Sequence, residues 1–163
     1  MTSEICYRPA SSEDARGIAA LISAVFVSAY VPGWGAEALE SVHDENSETL
    51  LRAALPVTAY QRVAMRADKV VAYIHFSKPH LLAIMAVSPE LQGQGLGSRL
   101  IVAALAEINT LHPDVEVLQV SATERSMPFY AKHGFYPISP MLNVMDRRFV
   151  RMALWLRPRR MGW

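Results

Sequence analysis

The sequence predicts a mixed α/β domain, and three patterns carry that expectation. Apolar residues at helical spacing mark Ala15, Ile18, Ala19, Ile22, Val25, Phe26 and Ala29 as one face, and Leu100, Ile101, Ala104, Leu105 and Ile108 as another. Between them, Val57 to Met65 and Val70 to Phe76 are rich in β-branched and aromatic residues and read as an antiparallel hairpin. A nearly continuous apolar run, His80 to Val87, then leads into a glycine-rich segment, Gln92 to Ser98. The expected order is β-α-α-β-β-β-α-β-α-β-β in one domain, residues 1–163.

Ile5 to Arg8 reads as an opening strand stopped by Pro9. Ser11 or Ser12 can cap the following helix, with Glu13 and Asp14 near its positive end, and the helical pattern runs to about Tyr30. Pro32-Gly33-Trp34-Gly35 breaks it. Ala36 to Leu55 looks helical but interrupted, with a restart at Ser47-Glu48 and a stop at Pro56. Ala67-Asp68-Lys69 is the hairpin turn. The run from His80 to Val87 is apolar enough for a central strand covered on both faces. The helix after the glycines ends before Pro113, and Val115 to Val120 is a further strand. Ser126 caps a short helix to Lys132, with Pro128 tolerated in its first turn and Gly134 as a left-handed stop. Phe135 to Ile138 and Phe149 to Leu156 close the sheet. Arg157, Arg159 and Arg160 form a small basic tail, read as solvated.

Composition narrows the function. Formal net charge is +1, without the basic bias of a nucleic-acid-binding domain. Cys6 is the single cysteine, so an internal disulfide and a cysteine metal cluster are both excluded, and no metal is expected. No apolar run of about eighteen residues occurs, so no membrane helix is expected. Met1 to Pro9 has Glu4 and Arg8 and no apolar stretch of signal-peptide type. A cytoplasmic protein is the expectation. The scattered methionines read as core filling.

The segment Gln92-Gly93-Gln94-Gly95-Leu96-Gly97-Ser98 joins a strand to a helix. Free N–H groups cluster at a helix start, and the dipole adds positive potential. Glycines remove the Cβ atoms that would hold an anion away from those donors. A phosphate-binding P-loop needs a lysine after its last glycine, and Ser98-Arg99 follow here. A dinucleotide fingerprint counted from Gly93 and Gly95 meets Ser98 where a third glycine belongs. A phosphate-binding α/β domain of another kind, and a glycine turn without a ligand, remain as alternatives.

These residues resemble a known family. Gln92, Gly95 and Gly97 match the Gln/Arg-x-x-Gly-x-Gly/Ala signature of the GNAT N-acetyltransferases. Ser126-Met127-Pro128-Phe129-Tyr130-Ala131-Lys132-His133-Gly134-Phe135 is similar to the family's C-terminal motif, with Ser126 in place of alanine. The opening Tyr7 to Ala15 also looks like that family. The resemblance implies a mixed, mostly antiparallel sheet in which strands four and five splay apart and admit acetyl-CoA. It implies that the main chain of the Met85-Ala86-Val87 segment flanks the pantetheine arm, Met85 and Val87 pairing with it as a strand would. It further implies that residues Gln92 to Ser98 (Gln92, Gly93, Gln94, Gly95, Leu96, Gly97, Ser98) bind the pyrophosphate. A primary amine of a small molecule or peptide would attack the thioester directly. Tyr130 occupies the position whose phenol faces the CoA sulfur as proton donor. Thr123 stands where relatives often have a cofactor-binding asparagine.

For the base, the fourth strand lacks the carboxylate some relatives carry. A water chain, His75 and His80 are the candidates. Tyr30 and Trp34 either line the acceptor pocket or belong to the core. His43, Asp44, Glu45 and Glu48 lie in the segment that caps the acceptor cleft in relatives, or in a solvated loop. His133 is read as facing solvent. The resemblance allows a homodimer, since relatives often dimerise. The competing reading is a non-catalytic acyl-CoA-binding or regulatory domain on the same fold.

Overall fold

The computed structural model describes residues 4–27, 34–57 and 60–157. Among the described residues, eight strands form one sheet in the order β1-β2-β3-β4-β5-β8-β6, with β7 paired to β8 outside that path. The strands are β1 (Ile5–Pro9), β2 (Tyr60–Arg66), β3 (Lys69–Lys78), β4 (Leu81–Val87), β5 (Val117–Ala122), β6 (Tyr136–Pro137), β7 (Leu142–Val144) and β8 (Arg147–Trp155). The helices are α1 (Ala15–Ile22), α2 (Ala36–Glu45), α3 (Glu48–Ala54), α4 (Leu96–Leu111) and α5 (Met127–Lys132). β4 and β5 are parallel and every other strand pair is antiparallel. This is the mixed, mostly antiparallel sheet that the resemblance implies.

Helices cover both faces. Ile18, Leu21 and Ile22 of α1 and Leu51 of α3 pack with Val63, Val70 and Tyr73 on one side. Leu100, Ile101, Ala104 and Ile108 of α4 pack with Ala64, Val71, Ile74 and Phe76 on the other. Each such apolar side chain buried contributes roughly 1.5–3 kcal/mol. The strand enclosed on both faces is β3, where Val70 to Ile74 are all buried. The sequence reading assigned that place to residues 80–87. In β4 only Leu82 and Ala86 are buried, and Ala83 is exposed. Its apolar character serves an open cleft rather than a closed core.

Other boundaries differ for local reasons. β1 runs through Pro9, which an edge strand tolerates because one of its sides lacks a partner. The hairpin turn is the pair Ala67-Asp68, with Ala67 at φ +52°, and Lys69 already belongs to β3. The first helix ends its regular turns at Ile22 and widens to a π turn over Ser23–Val27. The expected continuation to Tyr30 lies outside the described residues, as do Arg159 and Arg160 of the tail. The interrupted helix is two helices, with Ser47 at the restart. β7 was not expected at all. It forms a hairpin with β8 across Met145 (φ +51°) and Asp146 (φ +57°), two residues in the left-handed region. Gly134 supplies the expected left-handed stop at φ +89°.

Entry into α1 is fixed by a charged clasp. Asp14 is buried, and its carboxylate accepts both Arg8 guanidinium bonds at 2.7 Å and the Ser11 N–H at 2.8 Å. The Arg8 hydrogen bonds, then the Ser11 amide, hold the Asp14 carboxyl below its ordinary range against the opposing effect of burial. A depressed folded-state pKa gives stability above the unfolded value of about 3.9 and loses it as pH falls through the folded value. Asp14→Asn should therefore cost about 1–2 kcal/mol at pH 7 in urea unfolding. The difference from wild type should shrink as the measurement is moved to about pH 3.

Candidate active site

The ladder between β4 and β5 is two register pairs long, Leu81 with Gln119 and Leu82 with Val120. The Gln119 N–H also donates to the His80 carbonyl at 2.8 Å. Beyond that point the two strands part. A bulge coincides with the parting: His75 pairs with Ile84 but Phe76 with Leu82, so Ala83 is an extra residue on β4. Bulges re-aim a strand and end its pairing.

On its other edge, β4 stays bonded to β3. The Ser88 N–H donates to the Val71 carbonyl at 2.8 Å, in register with the pairs Ala72–Val87, Tyr73–Ala86 and Ile74–Met85. Bonded and non-bonded pairs alternate along an antiparallel ladder. Ala86 therefore turns its main chain to β3, while Met85 and Val87 turn theirs into the gap. The Gln92 side-chain amide reaches the Val87 carbonyl from the gap at 3.0 Å.

A cleft of about 900 Å³ opens there. One wall is Ala83, Ile84, Met85 and Val87 of β4. Facing it are Val120 and Ser121 of β5, Thr123, and Phe129 and Tyr130 of α5. Gln92, Gly93, Gly95, Gly97 and Ser98 form one end, and Arg125 and Lys132 add positive charge. Elsewhere the cleft meets Val25, Phe26, Trp34, Val42, Glu45, His75, Arg147 and Phe149.

The glycines have separate reasons. Gly93 and Gly95 sit at φ +75° and +81°, where a side chain is strained, although a Cβ would meet open space. Gly97 has ordinary φ and is there for contact: a Cβ would stand 3.1 Å from Met85 Cε and 3.4 Å from Phe129 Cε2. Helix α4 starts at once. Its first intrahelical bond runs from the Arg99 N–H to the Gly95 carbonyl at 3.1 Å. The amides of Leu96, Gly97 and Ser98 precede that bond and are free for an anion.

Most of the sequence-predicted site residues meet in this cleft, and several do not. Ala86 faces away and is buried, as is the Leu96 side chain. Gln94 folds back to donate to the Glu90 carbonyl at 3.0 Å. Tyr30 lies outside the described residues. Trp34 lines the cleft, with its indole N–H donating to the Arg148 carbonyl at 2.9 Å. His80 is exposed at the closed end of the β4–β5 ladder. The Thr123 hydroxyl donates to Ser126 Oγ at 3.0 Å and accepts the Ser126 N–H at 3.3 Å. Thr123 thus does the capping work expected of Ser126, and its hydroxyl proton is engaged there.

Tyr130 is buried in an aromatic nest, edge-on to Phe129 at 5.3 Å and to Phe135 at 5.6 Å. Burial raises its pKa above the ordinary phenol value, so it remains protonated at neutral pH. His75 stands on β3 with its Nε2 buried and unpartnered among the described residues. Burial lowers its pKa, leaving a neutral imidazole at pH 7. His133, expected to face solvent, instead pairs its Nε2 with Ser98 Oγ at 3.0 Å and packs on Phe129 at 4.9 Å. It ties α5 to the first turn of α4.

Two further features were beyond sequence reasoning. Arg125 and Lys132 join the cleft because the turn after β5 and α5 form the wall that faces β4. Arg147 crosses from β8 to Glu45 on α2 with bonds of 2.7 and 3.3 Å, a pair 102 residues apart. No local spacing signals such a contact, since it depends on the unforeseen β7–β8 hairpin.

Residues 31–156 match the family model for an acetyltransferase (GNAT) domain. A search of curated protein sequences finds no match. Among solved structures, a GCN5-related N-acetyltransferase from Rhodopseudomonas palustris, titled "Aminotransferase, Class-II", superposes with TM-score 0.79 at 21% identity, over 96% of this chain and 98% of that one. The PaiA N-acetyltransferase of Thermoplasma acidophilum, solved with coenzyme A, gives 0.74 at 16% identity over 93% and 99%. A GNAT acetyltransferase from Brucella melitensis, solved with acetyl-CoA, gives 0.66 at 20% over 96% and 90%. At such identities the likeness is one of fold. The family model covers most of the chain, and the chain belongs to the GNAT acetyltransferase family.

Proposed function

We propose that this chain is an N-acetyltransferase that moves an acetyl group from acetyl-CoA to a primary amine by direct attack. The observation that carries the reading is the parted β4–β5 ladder, whose Met85 and Val87 main chain, turned away from β3 and unpaired with β5, borders the same cleft as the free amides of α4. An extended pantetheine amide arm finds strand-like partners at Met85 and Val87. A diphosphate finds the amides of Leu96, Gly97 and Ser98, with the left-handed turns at Gly93 and Gly95 shaping the approach. Two of the solved structures that share this fold hold coenzyme A or acetyl-CoA.

The chemistry needs three services. The amine must lose a proton, the thioester carbonyl must be polarised, and the departing thiolate must gain a proton. As the new C–N bond forms and the C–S bond breaks, Tyr130 donates to the sulfur. Its phenol suits that role because it lines the cleft and carries its proton at neutral pH. His75 accepts the amine proton. It lines the cleft, burial favours its neutral form, and its buried Nε2 has no hydrogen-bond partner among the described residues. No chemical step needs a metal.

Tyr130→Phe should lower kcat by about 10²-fold or more with the CoA dissociation constant unchanged within about twofold, read by thiol release and calorimetry. Tight CoA binding with no turnover of any amine by the wild type would instead identify a binding module. Gly95→Val forces a β-branched residue to φ +81°. It should weaken CoA binding by about tenfold or more. His75→Gln should reduce kcat/KM by about 10²-fold. A loss below about threefold would assign deprotonation to solvent.

A further inference from the structure

We infer that the acceptor is a primary amine with an aromatic or branched apolar body and a single amino group. This deepens the acetyl-transfer reading and rests on it. The part of the cleft formed by the π turn after α1, by α2 and by β8 presents Phe26, Trp34, Val42 and Phe149, with Ile84 of β4 beside them. Aromatic and branched side chains on several sides gain most from an apolar body of similar shape.

Its electrostatics point the same way. Glu45 is the carboxylate among the described residues that line the cleft. Both its oxygens are taken, one by Arg147 at 2.7 Å and Ser41 Oγ at 2.9 Å, the other by Arg147 at 3.3 Å. The Arg147 guanidinium also lies 5.8 Å from the centre of the Trp34 ring. The acidic side chain is thus neutralised before any substrate arrives. A second ammonium buried here would lose its water and meet a carboxylate already paired. A single amino group avoids that cost, because it gives up its ammonium proton before it attacks and leaves no second charge behind.

The test is thiol release from acetyl-CoA with 2-phenylethylamine, ethanolamine and spermidine. The expected result is a kcat/KM for 2-phenylethylamine about thirtyfold or more above the other two. Trp34→Ala should cut that value about tenfold and leave ethanolamine within about twofold. Arg147→Gln releases the Glu45 carboxylate into the cleft and should raise kcat/KM for spermidine about tenfold. A wild-type preference for spermidine or ethanolamine overturns the acceptor class and leaves acetyl transfer standing. So does an unchanged spermidine rate in Arg147→Gln that still binds CoA. Absence of CoA binding by the wild type, with no thiol release from any amine, fails the acetyl-transfer reading instead.

Discussion

Everything at the site depends on where one β-ladder stops. β4 and β5 stay together for two residue pairs and then separate. Had they paired to the end, the main chain of Met85 and Val87 would be consumed in the sheet, and no cleft would exist. Main-chain groups left unpaired are costly when dry. They are therefore tolerated only beside solvent or beside a ligand that bonds as a strand would. The Ala83 bulge coincides with that stopping point on β4, while β5 runs on to Ala122 against β8. The rest of the sheet is antiparallel and continuous across its other ladders, which hold the opening in place.

The second constraint is the join between α4 and α5. Gly97 lets the first turn of α4 approach Met85 and Phe129 closely. The Ser98–His133 contact then fastens α5 to that turn. Tyr130 is held on α5 by Phe129 and Phe135. The free amides at the start of α4 and the phenol are thus parts of one packed unit, so a ligand spanning both, as proposed, would have its far end aimed by geometry. His133 also has its pKa lowered by burial, with the Lys132 charge adding to the effect. As a neutral imidazole it suits a structural bond to a hydroxyl.

What the sequence disclosed follows the range of its signals. Local patterns were legible: the Ala67-Asp68 turn, the restart at Ser47, the left-handed Gly134, and the glycine loop opening α4. Each depends on residues a few positions apart. The apolar run of β4 was read as a strand closed on both faces, because periodicity cannot distinguish a core from a cleft wall. The β7–β8 hairpin went unseen because its turn, Met145-Asp146, lacks glycine and asparagine, although both residues have positive φ. Missing that hairpin also hid Arg147. Glu45 was noticed as an acid near the acceptor segment, but its neutralisation depends on a partner 102 residues away. The placing of His133 against Ser98 likewise needs α5 folded onto α4, which no short-range pattern encodes.

The cleft has two electrical characters, and the chemistry explains why they coexist. At the glycine loop, helix amides with Arg125 and Lys132 nearby create a positive environment suited to a diphosphate. Around Phe26, Trp34 and Phe149 the lining is apolar, and its acid and base cancel in the Glu45–Arg147 pair. An amine attacks only when unprotonated, and low polarity favours its neutral form. The same low polarity keeps the phenol of Tyr130 protonated and the imidazole of His75 neutral. Burial thus favours the neutral form of both side chains, which is the sense that the proposed acetyl transfer needs. On the proposed reading, the positive loop anchors the donor while the apolar lining receives the acceptor, so the two partners approach from opposite electrical environments.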